Sequence, residues 1–163
     1  MLNEKIESIL NQQIEKEAYS SNLYLSMASW AQNNGLEGTA EWLFAQAEEE
    51  KMHMLKFIQY INDRGGKAII PALPQPPHEF ENVQELFEQV MKHEQYISAS
   101  INEIVAATIE VRDFTSNNWI QWFVTEQIEE EATVNAILDR LKLLDGKNFY
   151  LFDRDLKGIR TAE

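Results

Sequence analysis

The sequence predicts an all-α protein: a four-helix bundle of two antiparallel hairpins joined by a long crossover loop, with a short C-terminal helix. Apolar residues recur every three or four positions through four long segments, the spacing of a helix with one buried face. The 163 residues include only six glycines and four prolines, so these segments carry few helix breakers. The length suits a single domain, which we expect to span residues 1–163.

The first two helices are predicted to form a hairpin. The first runs from about Glu4 to Asn33. Asn34 and Glu37 have the spacing of a capping box, so we expect them to begin a second helix that ends near Asp63. The apolar stripe of the first helix is Ile6, Leu10, Ile14, Leu25 and Ala28.

The second hairpin has similar start signals. Asn82 is followed by Glu85 at capping-box spacing, which predicts a third helix that ends near Val111. Asp113 is a suitable cap for a fourth helix that ends before Asp145. The apolar positions of these helices are Leu86, Val90, Ile97, Ile101 and Ile104, then Trp119, Phe123, Val134, Ile137 and Leu141.

The segment 64–82 joins the two hairpins and is predicted to be an irregular crossover. It contains Pro74, Pro76 and Pro77 and has no helical period. About 18 extended residues reach nearly 60 Å, whereas a helix of about 27 residues is about 40 Å long, so the segment can pass along the whole bundle. The tail at about 148–158 is predicted to form the short last helix.

Composition restricts the partners of the chain. There is no cysteine, which excludes disulfides and thiolate metal sites, and the formal net charge of −13 repels nucleic acid and anionic membranes. Cations are the natural small partners, although the acidity could serve solubility alone. No apolar segment approaches the length of a membrane span and the N-terminus has no signal-peptide core, so we expect a cytoplasmic protein.

Four acids interrupt the apolar stripes, one on each long helix. They are Glu17, Glu50, Glu94 and Glu130, and His53 lies one turn after Glu50. Each acid is near the middle of its helix, so the four should meet at one level of the bundle, where unpaired charges would cost several kcal/mol each. One such acid alone would usually reach solvent, but four at matched height indicate two divalent cations, with iron, manganese or zinc as candidates.

Other residues near these acids have two open interpretations. Glu49, Glu126 and Glu129 either form an additional cation site or are solvated helix surface. Tyr24 could hydrogen-bond a ligand, donate an electron or simply fill the core, and Trp122 has the same ambiguity. We expect surface positions for Glu48, Glu131, His78 and His93.

These residues resemble those of bacterial non-haem ferritins over nearly the whole chain. The motifs are Glu17 with Tyr24, then residues 49–53, 93–95, 122–131 and 150–153. The resemblance implies one iron held by Glu17, Glu50 and His53, a second held by Glu50, Glu94 and Glu130, and a third held by Glu49, Glu126 and Glu129. Gln127, one turn before Glu130, is a further candidate metal ligand.

The resemblance also implies an activity. It implies a ferroxidase that oxidises iron(II) with dioxygen or peroxide and stores iron(III) mineral inside a hollow homo-oligomer of about 24 subunits. Bacterioferritins have Glu-x-x-His in both halves, whereas the second half of this chain has Gln127 and Glu130, so the second iron is expected to lack an imidazole ligand. Lys51 stands where bacterioferritins have the haem-binding methionine, so no haem is expected. The first-helix histidines of the DNA-protecting mini-ferritins are absent. The alternatives are a di-iron oxidoreductase of the rubrerythrin or oxygenase type, and a structural or partner-binding bundle.

Overall fold

The computed structural model describes residues 1–157 and 159, and this part of the chain forms five helices and no strand. The predicted all-α bundle is confirmed. The last residue of the predicted short C-terminal helix, 158, lies outside the described residues. The helices are α1 Glu4–Asn33, α2 Glu37–Asp63, α3 Val83–Glu110, α4 Phe114–Leu144 and α5 Phe149–Leu156.

The long helices pack in the predicted pairs. α1 packs against α2, α3 packs against α4, and α1 also contacts α3, while α5 lies against α2 and α4. Among the described residues, no helix has both the length and the hydrophobicity that a membrane span requires.

The apolar core is divided into two clusters by a polar layer. Along α1, Ile14 belongs to one cluster and Tyr24 to the other, and Glu17 lies between them. α3 repeats this order, with Glu94 between the buried residues Val90 and Ile97. Leu25, expected in the buried stripe, is instead 40% exposed, because the stripe passes one position away through Tyr24. Apolar packing on both sides therefore holds the polar layer in place.

The crossover lies along α1 and is fastened by its side chains. Asn11 donates to the carbonyl oxygen of Lys67 at 3.0 Å and accepts from the backbone N–H of Ile69 at 2.8 Å. Ser26, four turns further along α1, donates to the carbonyl oxygen of Pro77 at 2.6 Å. These bonds satisfy backbone groups that have no helical or sheet partner.

Two of the three predicted helix caps are confirmed. The Asn82 side chain accepts from the N–H of Glu85 at 2.9 Å, and Asp113 accepts from the N–H of Ser116 at 3.0 Å. The capping box at Asn34 is wrong. Asn34 ends α1 and donates its side-chain amide to the carbonyl oxygen of Trp30.

The cap of α2 comes from α5. The residue before α2 is Leu36, whose side chain has no acceptor, and the carboxylate of Asp153 takes its place. Asp153 accepts from the N–H groups of Gly38 at 2.8 Å and Thr39 at 2.7 Å, and from the Thr39 hydroxyl at 2.8 Å. A Cβ at Gly38 would lie 1.8 Å from the Asp153 carbonyl oxygen, so only glycine permits this approach.

Removing this cap should destabilise the protein. Asp153→Ala is expected to lower the free energy of unfolding by about 1–2 kcal/mol, because two N–H groups at the positive end of α2 lose a charged acceptor. For a chain of this size that is a fall of about 2–8 °C in the melting temperature, measured by calorimetry. Asp155→Ala is the control, since Asp155 is exposed and its carboxylate accepts a hydrogen bond from the side chain of its neighbour Arg154. Equal melting temperatures for the two variants would contradict the assignment.

Candidate metal centre

Four buried carboxylates meet in the polar layer of the bundle. Glu17 comes from α1, Glu50 from α2, Glu94 from α3 and Glu130 from α4, and none is more than 5% exposed. His53, one turn after Glu50, is 2% exposed. The five residues singled out by the apolar pattern are therefore all buried.

Glu17, Glu50 and His53 form the compact part of this layer. One ligand atom from each lies within 4.8 Å of the others, and His53 Nδ1 is 3.4 Å from Glu50 Oε2 and 3.9 Å from Glu17 Oε2. Three buried oxygens, Glu17 Oε2 and both oxygens of Glu50, accept no hydrogen bond from an N–H or hydroxyl group of the described residues, and the two carboxyl groups are placed to share a proton with each other. Because an unsatisfied buried carboxylate is costly, this geometry favours a bound cation.

Glu94 and Glu130 are oriented by neighbouring donors. The Tyr24 hydroxyl donates to Glu94 Oε1, and Gln127 Nε2 donates to Glu94 Oε2 at 3.1 Å. Gln46 Nε2 donates to Glu130 Oε2 at 2.6 Å. The structure thus brings Gln127 to the site with its amide nitrogen towards Glu94. An amide binds a metal through its oxygen, and here the nitrogen is the atom that faces Glu94. A ligand role for Gln127 therefore stays a prediction.

Burial dominates the electrostatics of the layer. It raises the pKa of Glu17 and of Glu50 well above the usual value, and neighbouring carboxylates add to both effects. Burial, then the charge of Glu94, raises the pKa of Glu130 to about 9. The pKa of Glu94 is also raised by burial, although hydrogen bonds from Tyr24 and Gln127 oppose the shift. Divalent cations would have to displace protons from these acids.

A groove of about 840 Å³ between α2 and α4 leads to this layer. Glu49, Glu126 and Glu129 line it, and ligand atoms of Glu49, His53 and Glu126 lie within 4.8 Å of one another. Glu129 is exposed and lies outside that compact group. The predicted second acidic set is therefore assembled in part, and His53 joins it to the buried layer.

The two ambiguous aromatic residues differ in their surroundings. Tyr24 is fully buried and bonded to Glu94, and burial followed by the Glu94 charge raises its pKa well above the usual value. Trp122 is 40% exposed, with its ring edge-on to His53 at a centroid distance of 5.6 Å. Lys56 Nζ lies 4.1 Å from the centroid of the Trp122 ring. Tyr24 therefore contacts the carboxylate layer directly, whereas Trp122 borders the groove.

Two expected surface residues are partly buried. His93 Nε2 lies 2.7 Å from Ser20 Oγ, and burial between α1 and α3 lowers the pKa of His93 to about 4. Glu131 accepts a hydrogen bond from Ser98 across the α3–α4 contact. Both expectations were wrong because the apolar pattern of one helix does not show which of its side chains a neighbouring helix will cover. His78 and Glu48 are exposed as expected.

Polar partners of the acids were not predicted from the sequence. Gln13 donates to Glu17 Oε1 at 2.8 Å, and Gln46 donates to Glu130 on another helix. Gln13 is four residues before Glu17, the spacing at which two helical side chains meet, and this signal could have identified it. No local spacing connects Gln46 with Glu130.

A four-helix bundle with carboxylates and a histidine converging at its middle is the arrangement of the ferritin-like carboxylate proteins. A sequence model of the Ferritin family, described as a ferritin-like domain, matches residues 7–144. The chain therefore belongs to the ferritin family.

Individual relatives cover nearly the full length. The chain is 44% identical over 163 residues to a probable bacterial non-heme ferritin-like protein of Haemophilus influenzae, covering 99% of both chains. It is 40% identical over 164 residues to a bacterial non-heme ferritin of Campylobacter jejuni, covering 99% of this chain and 98% of the relative. An open pore ferritin from Archaeoglobus fulgidus superposes with a TM-score of 0.94 at 37% identity, covering 98% of each chain.

Proposed function

We propose that this protein stores iron. It binds iron(II) in the carboxylate layer, oxidises it to iron(III) with dioxygen or peroxide, and deposits mineral inside a hollow shell of its own copies. The observation that carries the proposal is the group of three buried carboxylate oxygens beside His53 that accept no hydrogen bond from an N–H or hydroxyl group of the described residues. The non-heme ferritins among its relatives support the same function.

We assign the iron ligands from the carboxylate oxygens that accept no hydrogen bond from an N–H or hydroxyl group. Glu17 and His53 bind the first iron, and Glu50 bridges it to the second because both Glu50 oxygens are available. Glu94 and Glu130 complete the second position. Tyr24 acts in catalysis by holding Glu94 in place through its hydroxyl.

The redox step balances with these reactants. Two iron(II) ions give up two electrons, and dioxygen with two protons becomes hydrogen peroxide, or peroxide with two protons becomes two waters. Iron(III) then hydrolyses and releases protons. The protein holds both ions at one level of the bundle, so that one oxidant molecule can take both electrons.

The groove supplies a third cation position in this proposal. Glu49 and Glu126 bind iron next to His53, and Glu129 extends the acidic lining towards solvent. Such a site suits an ion in transit, because its carboxylates are partly exposed. The wider proposal is a single domain over 1–163 without haem, which forms a cytoplasmic homo-oligomer of about 24 subunits.

The test is aerobic addition of iron(II) in large excess, followed by size-exclusion chromatography with protein, iron and mass measured in each fraction. Many irons per chain in a very large particle are the expected result. About two irons per chain on a small oligomer would instead identify a di-iron oxidoreductase, since that class has the same bundle without mineral. No retained iron would contradict both functions and leave a structural bundle.

A further inference from the structure

A chain of hydrogen bonds runs from the edge of the α1–α3 contact to Glu17. Lys16 Nζ donates to Ser100 Oγ at 2.6 Å, Ser100 Oγ donates to Gln13 Oε1, and Gln13 Nε2 donates to Glu17 Oε1 at 2.8 Å. Lys16 is half-buried, whereas the other three residues are at most 5% exposed. The path joins residues from two helices and ends on a carboxylate of the metal centre.

The lysine fixes the direction of every bond in this chain. An ammonium group has donors and no acceptor, so the Ser100 oxygen must accept from Lys16 and its single proton is left for Gln13. The Gln13 carbonyl is thereby committed to Ser100, and its amide nitrogen faces Glu17. Without the ammonium, the hydroxyl could rotate and accept from Gln13. The Gln13 carbonyl would then turn towards the carboxylate and repel it.

The result is a carboxylate with two different oxygens. Glu17 Oε1 receives the Gln13 hydrogen bond, while Glu17 Oε2 accepts none from an N–H or hydroxyl group of the described residues and lies 3.9 Å from His53 Nδ1. Glu50 differs, since neither of its oxygens accepts a hydrogen bond from an N–H or hydroxyl group of the described residues. One Glu17 oxygen is therefore committed to the protein and one is available to a cation.

We propose that Lys16, Ser100 and Gln13 are positioning residues that hold Glu17 for binding through Oε2 alone. This inference rests on the proposed function, because the bound cation is the iron(II) substrate. Lys16 is itself held in place, as its Nζ lies 5.3 Å from the centroid of the Tyr96 ring. Hydrogen-bonded partners of metal ligands typically change metal affinity by about 10–100-fold, so the chain can set the affinity of the first position.

Two matched pairs of variants test the chain. Ser100→Thr keeps the hydroxyl group, while Ser100→Val has the shape of the threonine variant without a hydroxyl group. Lys16→Arg keeps a charged donor, while Lys16→Met does not. Cobalt(II) is titrated anaerobically into each assembled protein, and visible absorption reports binding. Val and Met variants should bind the first cobalt(II) about tenfold more weakly, and Thr and Arg variants should stay within about threefold of the unmodified protein.

Melting temperatures of the metal-free variants separate positioning from folding. Equal melting temperatures within a pair, with unequal cobalt(II) affinity, support positioning. Equal affinity within both pairs overturns it, as does a cobalt(II)-bound crystal structure with both Glu17 oxygens on the metal. If Ser100→Val does not fold, the Lys16 pair decides. Absence of cobalt(II) binding by the unmodified protein would overturn the proposed metal centre and this inference with it, whereas normal binding with unaffected variants overturns this inference alone.

Discussion

Glu50→Gln is expected to lower the initial rate of iron(II) oxidation by at least about 100-fold. Replacing a residue that only hydrogen-bonds to a metal ligand typically has a smaller effect, of about 10–100-fold. Both Glu50 oxygens are buried and accept no hydrogen bond from an N–H or hydroxyl group, which no other acid in the described part of the layer shares. Glutamine keeps one neutral oxygen and replaces the other with an amide nitrogen that does not bind metal. The proposed bridge between the two iron positions would therefore be lost. Stopped-flow absorption of iron(III) after mixing with dioxygen gives the rate.

The control for this prediction is Glu103→Gln. Glu103 is an exposed acid on α3, so its substitution makes the same change in composition and charge away from the layer. It should oxidise iron(II) at the unmodified rate. If Glu50→Gln oxidised iron(II) as fast as Glu103→Gln, Glu50 would not bridge the substrate ions. The metal-free Glu50→Gln protein should also be more stable at neutral pH, because a costly buried acid has been removed.

The apolar pattern was enough to predict the fold and the burial of the four central acids. An acid at a buried position of one helix is ambiguous, but Glu17, Glu50, Glu94 and Glu130 occupy the same level, and the structure buries all four. Helix periodicity also predicted the ends of the long helices to within about a residue, since Asn82 and Asp113 are local signals that lie next to the helices they cap. These features depend on short stretches of sequence.

The contacts that could not be predicted join distant segments. Asp153 caps a helix that begins more than a hundred residues earlier, and Ser100 receives a hydrogen bond from Lys16 on another helix. No local spacing contains such information, because it depends on how the helices rotate and slide against each other. Glu17 was therefore predicted as a ligand residue, whereas the difference between its two oxygens is visible only in the structure.

The stability of the metal-free protein is expected to fall as pH rises from about 5 to about 9. In the folded state burial raises the pKa of Glu130 to about 9, and the values for Glu17, Glu50 and Glu94 are also raised. An unfolded glutamic acid loses its proton near pH 4.3, so between these limits the folded state holds more protons than the unfolded state. The free energy of unfolding then decreases by about 1.4 kcal/mol per pH unit for each such proton.

Calorimetric melting temperatures of the metal-free protein across this pH range measure the slope. One proton corresponds to a fall of about 3–6 °C per pH unit for a chain of this size. Glu130→Gln should reduce the slope, because the neutral amide does not titrate, and Glu103→Gln should leave it unchanged. A saturating divalent cation such as zinc(II) should also flatten the slope, since it replaces the protons as the partner of the carboxylates.

The same protons connect stability with metal binding. A cation entering the layer at neutral pH must displace them, so its apparent affinity should rise with pH over the range in which the metal-free protein becomes less stable. The two trends have a single cause and must appear together. A metal-free protein whose melting temperature is independent of pH, with zinc(II) affinity that is equally independent, would mean that the buried acids are already ionised and paired. A cation would then not be needed to satisfy them.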